Sequence, residues 1–144
     1  MQTITEYLSA GHRHCDDLFA EAEAAAAKND LAAAQAGFIV FRQEMEHHLS
    51  KEENIMFPAF EQATGSSMGP TSVMRMEHEQ MRGLFAEMRA ALDAKDTSTY
   101  AGLSETLLVL MQQHNFKEEQ MLYQMADHTL DDREDIIRQM EALP

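Results

Sequence analysis

His48-Leu49-Ser50-Lys51-Glu52-Glu53 recurs as His114-Asn115-Phe116-Lys117-Glu118-Glu119, 66 residues further along the chain. In each copy a histidine precedes a glutamate by four residues, a spacing that stacks both side chains on one face of an α-helix. The surroundings of the first copy are helical by pattern: Phe38, Phe41, Met45, Leu49 and Met56 are spaced for a single buried face. The same offset aligns residues 12–25 with 78–91, where seven of 14 positions are identical, among them His12/His78, Leu18/Leu84 and Phe19/Phe85, and it pairs Met45 with Met111. Two helical hairpins are therefore copies of each other, related by a pseudo-twofold axis along the bundle. Shared Leu, Phe and Ala follow from core packing alone. Shared histidines and glutamates do not, because burying them is costly unless they are paired or bound to metal.

Working outward, the pattern Thr3-Ile4-Thr5-Glu6 is a capping box that opens a helix over 4–28. Asn29-Asp30 breaks it, and a second helix is expected over 31–61, with Pro58 kinking or loosening its last turn. The stretch Thr64-Gly65-Ser66-Ser67-Met68-Gly69-Pro70 reads as a loop. A third helix over 71–94, a fourth over 98–126 and a short last one over 133–141 complete the chain. Four long helices with short connections predict an all-α, up-down-up-down antiparallel four-helix bundle with a short C-terminal helix, forming one domain over 1–144.

Composition narrows the function. With 25 acidic against 11 basic residues the formal net charge is −14, which repels phosphate backbones and anionic membrane surfaces. Neither a nucleic acid nor a membrane is expected as a partner, and no apolar run approaches the roughly 20 residues of a membrane span. The start, Met1-Gln2-Thr3-Ile4, lacks the basic and apolar regions of a signal peptide, and a single cysteine, Cys15, suits a reducing compartment. A cytoplasmic protein is expected. No nucleophile triad and no glycine-rich phosphate loop is present.

The 7 histidines carry the chemistry. His12 and His78 stand seven residues before Phe19 and Phe85 and share their buried face. All four helices thus direct one histidine inward, and two add a carboxylate, so the candidate ligands are His12, His48, Glu52, His78, His114 and Glu118. Six such groups suit two ions, and imidazole with carboxylate favours iron or manganese, with zinc tolerated. Glu52 and Glu118 can each bridge both ions, leaving each with two histidine nitrogens, two bridging oxygens and open positions. His47 and His14 compete with His48 and His12, but their repeat partners are Gln113 and Gln80. Glu53 and Glu119 lie about 100° round the helix from the bridging residues, which suits a surface or supporting role. Tyr7 and Tyr123 stand where they can reach the site region but read first as packing, as do the methionines, and Cys15 reads as a small buried hydrophobe near the site.

Four segments in order resemble the hemerythrin-like (HHE cation-binding) domains: His12-Arg13-His14-Cys15-Asp16-Asp17-Leu18-Phe19, the run from His48 to Pro58, Glu77-His78-Glu79-Gln80-Met81-Arg82, and the run from His114 to Glu119. The resemblance covers residues 4–127. It implies a non-haem pair of iron ions, bridged by an oxo or hydroxo group and two glutamates, with His12 and His114 on one ion and His48 and His78 on the other. The oxygen carriers of that family have a second histidine four before the one on the third helix; Met74 stands there in this chain. The four-His, two-Glu set is like that of members tied to nitric-oxide stress and iron-centre repair. Three functions follow as expectations: a di-iron protein that reacts with or senses a small diatomic ligand (O2, NO or peroxide), an iron-handling or iron-centre repair protein, or a bundle braced by its metal.

Overall fold

A computed structural model describes residues 2–144; Met1, part of the leader reading, lies outside them. Helix α1 (Ile4–Ala27) is followed by α2 (Leu31–Lys51), α3 (Phe57–Thr64), α4 (Pro70–Asp93), α5 (Thr97–Lys117), α6 (Tyr123–Thr129) and α7 (Arg133–Ala142). No strand occurs among the described residues. None of the helices is long and apolar enough to cross a membrane.

The expected capping box forms. Thr3 Oγ1 accepts from the Glu6 amide at 3.0 Å while Glu6 Oε1 accepts from the Thr3 amide at 3.1 Å. Asp127 closes the same helix end from across the bundle, its carboxylate accepting from the amides of Ile4 and Thr5 at 2.7 and 3.1 Å.

The repeat extends into the turns. Asn29 and Lys95, 66 apart, both adopt left-handed backbone at φ 57 and 59, and each is followed by an aspartate that caps the next helix: Asp30 accepts from Ala33, Asp96 from Thr99. Helices α1, α2, α4 and α5 pack in a ring, each against the next, as a four-helix bundle requires.

Apolar residues form two separate clusters. One gathers around Phe19, Phe38, Phe41, Phe85 and Tyr100. The other, around Ile4, Leu8, Phe57, Phe60 and Leu122, is completed by Ile136, Ile137 and Met140 of α7. Between them lies a layer of buried polar residues, since the four long helices, two of them continued by the turns that follow, pass from one cluster to the other across a histidine: Leu8–His12–Cys15, Met45–His48–Met56, Met74–His78–Met81 and Met111–His114–Leu122.

The expected irregularity near Pro58 is real, but proline is not its cause. A π-helical turn, Glu52–Met56, separates α2 from α3, and a second, Glu118–Leu122, separates α5 from α6. The second turn has Gln124 where the first has Pro58, and Gln124 Nε2 donates to the Glu119 carbonyl at 3.0 Å. Both π-turns begin on a candidate bridging glutamate, a common placement for such turns. Each adds one residue to the helical register, so the Phe57 amide donates to the Glu52 carbonyl and the Tyr123 amide to that of Glu118.

Candidate metal centre

The six sequence-derived ligands converge in this polar layer, and all are buried: His12, His48, Glu52, His78, His114 and Glu118. Their donor atoms form two groups, His12/His48/Glu52/Glu118 and Glu52/His78/His114/Glu118, each with donors within 4.8 Å of one another. Both glutamates belong to both groups. The partition differs from the one the family resemblance implied: His12 sits with His48 (ring centroids 4.8 Å apart) and His78 with His114 (5.0 Å). Consecutive helices α1 and α2 supply one pair and α4 and α5 the other, because the hairpin is the repeated unit.

Five buried atoms at this centre have no hydrogen-bond partner: His48 Nε2, His78 Nε2, His114 Nε2, Glu52 Oε1 and Glu118 Oε2. Two lie near an oxygen, His78 Nε2 at 3.1 Å from Glu52 Oε1 and His114 Nε2 at 3.2 Å from Glu118 Oε1. The distances suit hydrogen bonds but the directions do not, as for atoms arranged around a cation rather than around each other. Each unsatisfied buried group costs roughly 1–3 kcal/mol. Five together rival the net stability of an ordinary domain, about 5–15 kcal/mol. The donor set therefore fits metal, and borderline nitrogen with hard oxygen donors fits iron.

Charges in the cluster are coupled. Burial pushes the Glu52 carboxyl up, and the Glu118 charge pushes it further, whereas His114 and His12 hold Glu118 well below its ordinary range despite burial. Burial lowers the pKa of His12 and His78, but Glu118 and Glu119 around the first and Glu52 and Glu53 around the second raise both to about 9. His48, buried and beside His12, is pushed down to about 3.

Supporting carboxylates hold the outer imidazole nitrogens. Glu119 lies 2.7 Å from His12 Nδ1 and Glu53 lies 2.7 Å from His78 Nδ1, the supporting role expected of this repeated pair. Glu77, which the sequence reading left inside a motif without a role, lies 2.8 Å from His114 Nδ1. Such partners fix ring orientation and raise ligand basicity.

Tyr123 is more than packing. Its hydroxyl lies 2.5 Å from Glu52 Oε2, 2.9 Å from Glu118 Oε1 and 3.0 Å from His12 Nε2. Its ring stacks on His12 as that of Phe57, 66 residues earlier, stacks on His78. The offset pairs Phe57 with Tyr123, so the signal was present in the sequence, but the π-turn that swings residue 123 over Glu118 was not. Tyr123→Phe should leave the helix content intact, since Phe57 fills the equivalent place. It should lower metal-free stability by about 1–3 kcal/mol by orphaning a buried carboxylate oxygen, read as a fall in the urea midpoint.

Other histidines lie elsewhere. His47 Nε2 is 2.8 Å from the Leu143 carbonyl, while His14 and His128 are exposed. Cys15 is buried beside the centre, and burial together with the nearby charges of Glu44 and Asp16 pushes its thiol up to about 12. A thiol so raised stays protonated at pH 8, and only the thiolate attacks. Native protein should therefore react with a disulfide reagent at least tenfold more slowly than protein unfolded in urea; equal rates would contradict the burial.

A buried four-histidine, two-glutamate cluster between the layers of a helical bundle defines a metal-binding bundle protein. The chain belongs to the hemerythrin family, its residues 3–126 matching the Hemerythrin HHE cation binding domain, and iron is the cation that this family implies. It is 37% identical over 95 residues to the iron-sulfur cluster repair protein YtfE of Edwardsiella ictaluri, covering 59% of this chain and 42% of that protein. Identity is 49% over 41 residues with YtfE of Citrobacter koseri and 45% over 42 residues with YtfE of Escherichia coli, in each case 28% of this chain and 19% of the relative. The chain thus spans less than half the length of these curated relatives. No solved structure matches it.

Proposed function

We propose that the chain holds two iron ions, each on one histidine pair, with Glu52 and Glu118 shared between them, and that it serves in iron handling for the repair of iron centres. The observation that carries the reading is the sharing of both glutamates by the two donor groups. The similarity to iron-sulfur cluster repair proteins supports the iron-handling role over the metal-braced bundle. When bound, such a pair supplies a redox-active Lewis-acidic centre with open positions. The chain's own residues do the rest. The two apolar clusters exclude water, Glu53, Glu77 and Glu119 orient imidazoles, and Tyr123 holds the Glu52 carboxylate by its hydroxyl proton.

A second reading, a diatomic ligand (O2 or NO) at the same ions, rests on one observation. A cavity of about 10 Å³ reaches His12, His48, His114 and Glu118, with Met45, Met81 and Met111 among its walls. That is space for about one water-sized molecule.

Iron-loaded protein mixed anaerobically with an iron-depleted cluster protein separates the readings. Restored cluster absorbance with wild type but not with iron-treated His48→Ala supports iron supply. No transfer, together with a change in the optical spectrum on adding nitric oxide, favours the diatomic reading.

A further inference from the structure

The repeat that builds the two metal-binding halves is broken at four supporting positions, three by substitution and one, Lys51 against Lys117, by where the same side chain goes. At the His78/His114 end both outer nitrogens have carboxylate partners, and each partner is neutralised. Glu53 takes His78 and is gripped by both terminal nitrogens of Arg82 at 2.9 Å. Glu77 takes His114 and pairs with Lys117.

At the other end, each of those parts has a weaker counterpart 66 residues away in the chain. Position 11, equivalent to Glu77, is glycine, and a Cβ there would stand 2.6 Å from His48 Nδ1. His48 therefore has no carboxylate on its outer nitrogen, and Glu52 faces its Nε2 at 3.8 Å. Position 16, equivalent to Arg82, is aspartate, so Glu119, the partner of His12, faces a like charge where Glu53 has a clamp. Lys51, equivalent to Lys117, turns away to the Tyr7 hydroxyl at 2.8 Å. Tyr123, equivalent to Phe57, sets its hydroxyl 3.0 Å from His12 Nε2, where it competes with the ion of this half, while its contacts to Glu52 and Glu118 fall on carboxylates that both halves share.

The cavity at the centre touches both halves, with His12 and His48 on one side and His114 on the other, and on the His12/His48 side its wall includes Asp16, which is exposed. Asp16 and Glu119 thus form an acidic pair between solvent and the weaker half.

From this asymmetry we infer that the two halves hold their ions unequally: the His78/His114 half retains its ion, and the His12/His48 half is the release end, where a ferrous ion exchanges past Asp16 and Glu119. The inference rests on the two-ion reading above and deepens it by naming which ion is cargo. Supporting partners of histidine ligands are commonly worth 10- to 100-fold in metal affinity. One missing partner and one unclamped partner place the difference in release rate at about tenfold or more.

The test is release of Fe(II) from protein loaded anaerobically, mixed with excess ferrous chelator and followed by the colour of the complex. Wild type should release one equivalent fast and one slowly. A symmetric pair could also release stepwise, so variants assign the phases. Glu77→Gln and Arg82→Gln should each accelerate the slow equivalent by about tenfold and leave the fast one unchanged. His48→Ala should keep one equivalent that leaves at the slow rate. Two equivalents leaving in one phase, or Glu77→Gln and Arg82→Gln accelerating the fast phase alone, would overturn the inference while leaving the two-ion reading intact. Wild type that loads fewer than two equivalents would instead overturn that reading, and the inference with it. Circular dichroism of each variant before loading separates lost iron from lost fold.

Discussion

Glu118→Ala protein is expected to retain neither ion, with apparent affinity for both falling at least about 100-fold. The loss should exceed that of any single histidine variant, because a histidine serves one donor group and Glu118 serves both. Removing it also deprives His12 Nε2, at 3.0 Å, and His114 Nε2, at 3.2 Å, of their nearest anionic neighbour. Burying imidazoles without a compensating charge or hydrogen bond is unfavourable, so the cluster should loosen as well as empty. The milder Glu118→Gln and Glu52→Gln keep the shape and lose the charge, and a loss of roughly tenfold or more is expected for each. Equilibrium dialysis with Fe(II), read by elemental analysis, checks all three. Full retention of either ion by Glu118→Ala would count against a shared carboxylate.

The second large effect concerns the scaffold. Phe41→Ala should destabilise the metal-free protein by about 3–5 kcal/mol, a large part of an ordinary domain's stability. Phe41 is buried at the centre of the aromatic cluster, with Phe19 at 5.5 Å, Phe85 at 5.7 Å and Phe38 at 6.2 Å between ring centroids. These rings come from α1, α2 and α4, so the cavity left by alanine opens among three helices and cannot collapse from one side. Urea unfolding of metal-free protein is the measurement, since bound metal would add its own stabilisation. A change below 1 kcal/mol would mean that the cluster does not organise the bundle.

The helices and their inward histidines were legible because both are matters of period. Apolar residues at helical spacing mark the buried faces, and ligands four apart or 66 apart obey the same registers. What stayed hidden depends on the third dimension or on departures from the period. The π-turns at Glu52 and Glu118 shift the register by one residue, and a plain helical reading cannot place Phe57 against His78 or Tyr123 against the carboxylates. The supporting role of Glu77 requires knowing that α4 lies beside α5. The grouping of His12 with His48 follows from the hairpin as the repeated unit, which the sequence suggests but which the resemblance to other family members obscured. Gly11 and Asp16 carried a signal only in comparison with Glu77 and Arg82: the informative residues were those at which the repeat fails.

The central claim is a pair of ions held by six side chains, and the most direct test is the metal content of wild-type protein reconstituted with Fe(II) under anaerobic conditions, by elemental analysis against protein concentration. Two irons per chain for wild type, and none for Glu118→Ala, is the expected result. One iron or none in correctly folded wild-type protein would contradict it.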